Sequence, residues 1–267
     1  MVSAPRSGGA FLSHRLRVAC LCGGYRGRVN DNVRDRLDEL HDRVDEVIAE
    51  VKPRLRGWLH LATAPVTLAA GIVLVAFSPT ASARWASAVY AASALLLFTV
   101  SAVYHTGRWS PRAHLFLKRF DHANIFLLIA GSYTPFTLLL LEGRDRTVML
   151  TTVWVSAVIG CLFRVFWLHA PRWLYLALYL GLGWAAIFYV GAYVDGAQRL
   201  GVGVGTAVLV LAAAGGVLYT VGGVVYGFQR PDPWPQWFGF HEVFHSFTIL
   251  AFVTHYVGVS LATYSLR

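Results

Sequence analysis

Seven apolar runs, each close to the length that crosses a bilayer, constrain this chain more than any other feature. They fall at about 58 to 77, 85 to 105, 122 to 141, 148 to 168, 173 to 194, 203 to 228 and 241 to 263. About 20 residues of helix, rising 1.5 Å each, cover the roughly 30 Å hydrocarbon layer. No water reaches that layer, so each segment has to satisfy its own backbone polar groups. The chain therefore reads as an all-α membrane protein, a seven-transmembrane helix bundle. The breaks between runs, such as Ser78-Pro79-Thr80, Arg144-Asp145-Arg146 and Pro231-Asp232-Pro233-Trp234-Pro235, are too short to hold another domain.

Composition matters here for one exclusion. A formal charge of +9 would point a soluble chain toward nucleic acid, but charged residues are only 14% of this one. Soluble domains carry roughly 25%. The Lys and Arg stand in the N-terminal segment and in loops beside the apolar runs, which is the positive-inside bias, so no nucleic-acid partner is expected.

Three regions follow. Residues 1 to 29 are basic, Gly-rich and aperiodic, and are expected to be disordered, with no secretory signal peptide. Residues 30 to 53 are expected to form an amphipathic helix on the cytoplasmic side: Val33, Leu37, Leu40, Val44, Val47 and Val51 would share one face, Asp, Glu and Arg fill the other, and Lys52-Pro53 end it. Residues 54 to 267 hold the seven spans. Lys52, Arg54 and Arg56 flank the first run, and Arg108, Arg112, Lys118 and Arg119 follow the second, whereas the alternate loops carry few cations. This puts the N-terminus in the cytoplasm and the C-terminus outside the cell membrane. Trp58, Trp109, Trp167, Trp173, Trp234 and Trp237 then form an inner interfacial belt. Runs five and six are rich in glycine, including Gly181, Gly183, Gly215, Gly216, Gly222, Gly223 and Gly227, which allows close helix contact. Cys20, Cys22 and Cys161 make no disulfide framework. Gly201-Val-Gly203-Val-Gly205 lacks the preceding strand of a nucleotide fingerprint.

An ionisable residue at mid-membrane costs about 2.5 to 3.5 kcal/mol on insertion scales, so each such residue needs a reason. His241 and His245 are four apart on the last run, which stacks them on one helix face. On that spacing alone they are as well explained as a hydrogen-bonding pair at the interface. The topology adds to them: the second run ends in Ser101-Ala-Val-Tyr-His105 and the third begins with Asp121-His122, both on the side where His241 and His245 stand. Three imidazoles at about 2.0 to 2.1 Å from Zn2+, with a fourth position open to water, is the layout of a catalytic zinc. A haem is disfavoured, because two histidines one turn apart on one helix cannot be opposite axial ligands. Asp121 is either a fourth ligand, which closes the site, or the group that holds the water and takes its proton. Ser101, one turn deeper than His105, suits a hydroxyl facing substrate. Glu242 points about 100° from His241, toward the interface or a residue behind the ligands. His60, His122, His169 and His255 read as packing or interfacial residues, and Arg164 as close enough to its helix end to snorkel.

Ser101-x3-His105 followed by Asp121, then Tyr133-Thr134-Pro135-Phe136, Gly222-Gly223-x-x-Tyr226 and Phe238-Gly239-Phe240-His241-Glu242-x-x-His245, resembles the bacterial hemolysin III branch of the progestin and adipoQ receptor superfamily, over about residues 50 to 265. The resemblance implies an intramembrane zinc near the cytoplasmic face, bound by His105, His241 and His245, with Asp121 reaching it through water. One departure stands out. Where the family opens its first span with Glu, Asn and His, this chain has Arg56 at the Asn position and no Glu upstream until Glu50. The pattern implies a polar link at the cytoplasmic end of the first helix.

Three functions compete at this stage. The first is a zinc hydrolase of a membrane lipid amide or ester, by analogy with the ceramide-cleaving activity that related adiponectin receptors imply. The second is a receptor or membrane-homeostasis factor in which zinc fixes helices. The third is the cytolysin of the family's name, for which no charged ring or polar stripe along the spans supplies a conducting path.

Overall fold

The computed structural model describes residues 53 to 266, and the regular elements among these are all helices. They are α1 (Trp58–Ala76), α2 (Ala81–Thr106), α3 (Pro111–Leu140), α4 (Gly143–Phe166), α5 (Arg172–Gly183), a 3-10 turn (Ala185–Tyr189), α6 (Val190–Gln198), α7 (Val202–Phe228) and α8 (Phe240–Tyr264). Apart from Pro53, the segments expected to be disordered and amphipathic lie outside the described residues. Among the described residues seven segments are long and apolar enough to cross a membrane, with α5, the 3-10 turn and α6 counted as one. The protein is an integral, multi-pass membrane protein.

Helix starts differ from the hydropathy reading for a local reason. Hydropathy marks where charge stops, whereas a helix begins where its first amides are capped. Thr80 accepts from the Ala83 amide at 3.1 Å, which starts α2 four residues before the apolar run at 85. Ser110 accepts from the Ala113 amide at 3.4 Å with Pro111 in the first turn, so α3 begins well ahead of 122. Asp121 therefore lies about three turns inside a helix instead of at its start.

The fifth run was expected as one continuous span and is broken. α5 stops at Gly183, and the 3-10 turn intervenes before α6. A break at membrane depth requires partners for the freed backbone groups. Tyr133 of α3 provides them: its hydroxyl donates to the Gly183 carbonyl at 2.5 Å and accepts from the Ala186 amide at 3.1 Å.

The bundle core is a cluster of Tyr90, Phe98, Phe126, Met149 and Phe252 with surrounding Leu and Ala. Polar ties thread it, with Tyr90 donating to the Phe252 carbonyl at 2.9 Å and Tyr256 to that of Ala70 at 3.0 Å. Close approach of α7 to α8 depends on Gly215, where a Cβ would run into the His255 ring. Gly222, Gly223 and Gly227 also abut neighbouring side chains, whereas a Cβ at Gly181, Gly183 or Gly216 would face open space, so no close helix approach depends on them. The expected glycine packing thus holds for only part of the set.

Candidate metal centre

The last turn of α2 carries His105 and the first turns of α8 carry His241 and His245. One ligand atom from each lies within 4.8 Å of the others. The Nε2 atoms of His105 and His241 face each other at 3.2 Å. Two nitrogens on one tetrahedral ion, each at 2.0 to 2.1 Å, stand about 3.3 Å apart, so the geometry fits a zinc-sized ion. His245 adds a buried Nδ1 without a hydrogen-bond partner. Asp121 Oδ2 is 3.8 Å from His105 Nε2, and Ser101, only 2% exposed, is within hydrogen-bonding reach of that carboxylate. The five residues singled out from sequence, His105, His241, His245, Asp121 and Ser101, are thus brought to one place.

How α8 is held explains why its histidines arrive there. Glu242 is fully buried. Its Oε2 accepts from the Gly239 amide at 2.9 Å, capping the helix, while its other oxygen is bound by the Arg56 guanidinium. The segment before α1 continues the tie: the amides of Arg54 and Leu55 donate to the carbonyls of Gln236 and Trp237 at 2.9 and 3.2 Å, and the Arg54 guanidinium lies 4.6 Å from the Trp237 ring centre. Gly57 sits at φ +84, and a Cβ there would come within 2.6 Å of the His105 Cβ. The turn 53 to 57 is therefore wedged between α2 and the start of α8, and Arg56 makes a polar link to Glu242 there. Glu242 faces inward to that arginine and not to the interface.

His60 is a packing histidine, and the residue it packs on belongs to the site: it is 2% exposed and its ring stacks on that of His245, with centroids 3.8 Å apart and planes at 18°. An ionisable residue one turn inside an apolar run was the available signal, but spacing within one helix cannot show which neighbour it meets. Arg164 does not snorkel; it is 2% exposed, with its guanidinium 4.3 Å over the Tyr175 ring. His255 is a packing histidine as expected, since its Nε2 donates to the Ala212 carbonyl at 3.0 Å.

His241 and His245, with His60 beside them, line one end of a mostly apolar cavity of about 430 Å³. Along α3 its lining runs from Asp121 to Leu140, about 28 Å of helix at 1.5 Å per residue. Span five forms one wall through Tyr175, Tyr179, Trp184 and Ile187. No single run of sequence announces this space, because helices from α1 to α8, all but α4, contribute to its lining.

Fold and site define a class: a seven-helix membrane protein with a histidine cluster that could hold a metal at one end of an internal apolar cavity. Within that class the chain belongs to the hemolysin III family, whose model, described as haemolysin-III related, matches residues 48–256. It is similar to Hemolysin-3 of Bacillus cereus, 31% identical over 151 residues that cover 57% of this chain and 65% of that protein. It is also similar to a Hemolysin-3 homolog of Bacillus subtilis, 29% identical over 187 residues that cover 69% of this chain and 81% of the relative.

Proposed function

We propose that this protein is a zinc-dependent hydrolase acting on an amide or ester of a membrane lipid, in the cell membrane, with its N-terminus in the cytoplasm and its C-terminus outside. The observation that carries this reading is the convergence of three imidazoles, two of which, His241 and His245, lie with Asp121 on the wall of one long apolar cavity. His105, His241 and His245 would hold the ion. When bound, zinc supplies a Lewis acid that polarises a carbonyl and brings the pKa of water down from 15.7 to about 7. Asp121 orients the attacking water and takes its proton. Ser101, on the same helix one turn deeper than His105, donates to the oxyanion, a role worth roughly 3 to 4 kcal/mol of barrier. The cavity holds the acyl chain and keeps bulk water from the reacting carbonyl.

A specific distance favours one other reading. At 3.8 Å from His105 Nε2, the Asp121 carboxylate is near enough to complete a four-ligand site, in which zinc only fixes α2, α3 and α8 of a receptor or membrane-homeostasis protein. The name of the relatives suggests lysis, but the mostly apolar lining of the cavity gives an ion path no support. Incubating the purified protein with a panel of lipid amides and esters, with and without chelator, tests the proposal. Chelator-sensitive release of fatty acid is expected, and a zinc-loaded protein inert toward the whole panel would overturn it.

A further inference from the structure

Arg164 is a buried cation that the metal centre does not use. Its side chain, in the last turn of α4, is 2% exposed, and Nε and Nη1 are enclosed without hydrogen-bond partners. The guanidinium lies 4.3 Å over the Tyr175 ring, whose face attracts a cation but carries no counter-charge.

The surroundings add positive charge. α3 and α4 run antiparallel, with Cys161 Sγ donating to the Ala123 carbonyl at 3.3 Å, so Arg164 is level with Arg119, four residues before Ala123. Arg119 is half-buried, and its Nε too is enclosed without a partner. Arg164 and Lys118 both lie within electrostatic reach of His122. Among the described residues the ion pairs are Arg56 with Glu242, His105 with Asp121 and Arg199 with Glu142, and none brings a carboxylate to Arg119 or Arg164.

A desolvated cluster of one sign is completed by an anion of the opposite sign, and two forked donors at one level suit the oxygens of phosphate. We propose that Arg164 and Arg119, backed by Lys118 and the Tyr175 ring, form a binding site for a phosphate group. The depth favours a phospholipid headgroup as the source: Trp167 and Trp173, at the adjoining ends of α4 and α5, are 51% and 69% exposed and mark the interface. Basic pockets between helix ends are where anionic headgroups bind. The site is separate from the metal and independent of any hydrolysis.

The test uses the full-length protein, delipidated in detergent. Native mass spectrometry and thermal melts are followed while phosphatidylglycerol, or inorganic phosphate alone, is added. Wild type is expected to retain phosphatidylglycerol and melt at a higher temperature with it. Arg164→Met should bind it at least tenfold more weakly and lose the shift, and Arg164→Lys, which keeps the charge without the fork, should fall between. Circular dichroism and the melt without added anion show whether each variant is folded. Should Arg164→Met fail to fold, Arg119→Gln takes its place with the same expectation. An equal shift with inorganic phosphate would support the site and make free phosphate the source. A wild type indifferent to both anions, or variants that bind as tightly as wild type, would overturn the proposal.

Discussion

The second and third spans and the fifth belong to one bundle and are built differently. Over the most apolar stretch of each, 56% of the second and 67% of the third is buried inside the protein, against 17% of the fifth. The first two carry His105, Ser101 and Asp121 between packed neighbours; the fifth faces outward over much of its surface and is broken at Trp184. Both line the same cavity. Packing density fixes a side chain's position, so chemistry that depends on fractions of an ångström belongs on the dense side. A wall with few buried contacts and an interrupted helix opens at lower free energy, as the proposed entry of a lipid chain would require.

The largest expected effect is at the dense side. Purified protein should carry about one zinc per chain, and His245→Ala should lose that metal or bind it far more weakly; single alanine variants of His105, His241 and His245 that all keep full occupancy would remove the basis of the site. Asp121→Asn comes next, because the amide still hydrogen-bonds water but is no useful base. It should keep zinc while turnover falls by about 10² to 10⁴. Metal lost from this variant would make Asp121 a ligand and favour the structural reading.

The Arg56 and Glu242 pair tests how far the dense side depends on the turn before α1. Removing one partner of a buried ion pair costs about 3 to 5 kcal/mol. Arg56→Met should therefore lower the melting temperature sharply, and the double replacement Arg56→Met with Glu242→Gln should recover part of the loss. A single variant as stable as wild type would mean that the pair does not hold α8.

The smallest effect is expected at the loose side. Tyr133→Phe removes one hydroxyl from the break in span five and leaves the Gly183 carbonyl and Ala186 amide short of a partner. A cost of about 1 to 3 kcal/mol is expected, confined to faster hydrogen exchange at residues 184 to 189, with zinc content unchanged. Loss of metal in this variant would show that the two sides are not mechanically separate.

The number of spans, their order and the gathering of Ser101, His105, Asp121, His241 and His245 at one end of the bundle were all legible in the sequence. Apolar length at a fixed rise per residue dictates spans, and an odd or even count of crossings dictates which ends share a side. Those are one-dimensional properties. What the sequence could not decide are relations across helices: that His60 lies flat on His245, that Arg56 meets Glu242 186 positions away, that Arg164 is enclosed, and that span five breaks where Tyr133 reaches it. Each depends on the rotation and depth of one helix against another. Periodicity gives the face a residue occupies on its own helix, but only close packing of the whole bundle fixes which face it opposes.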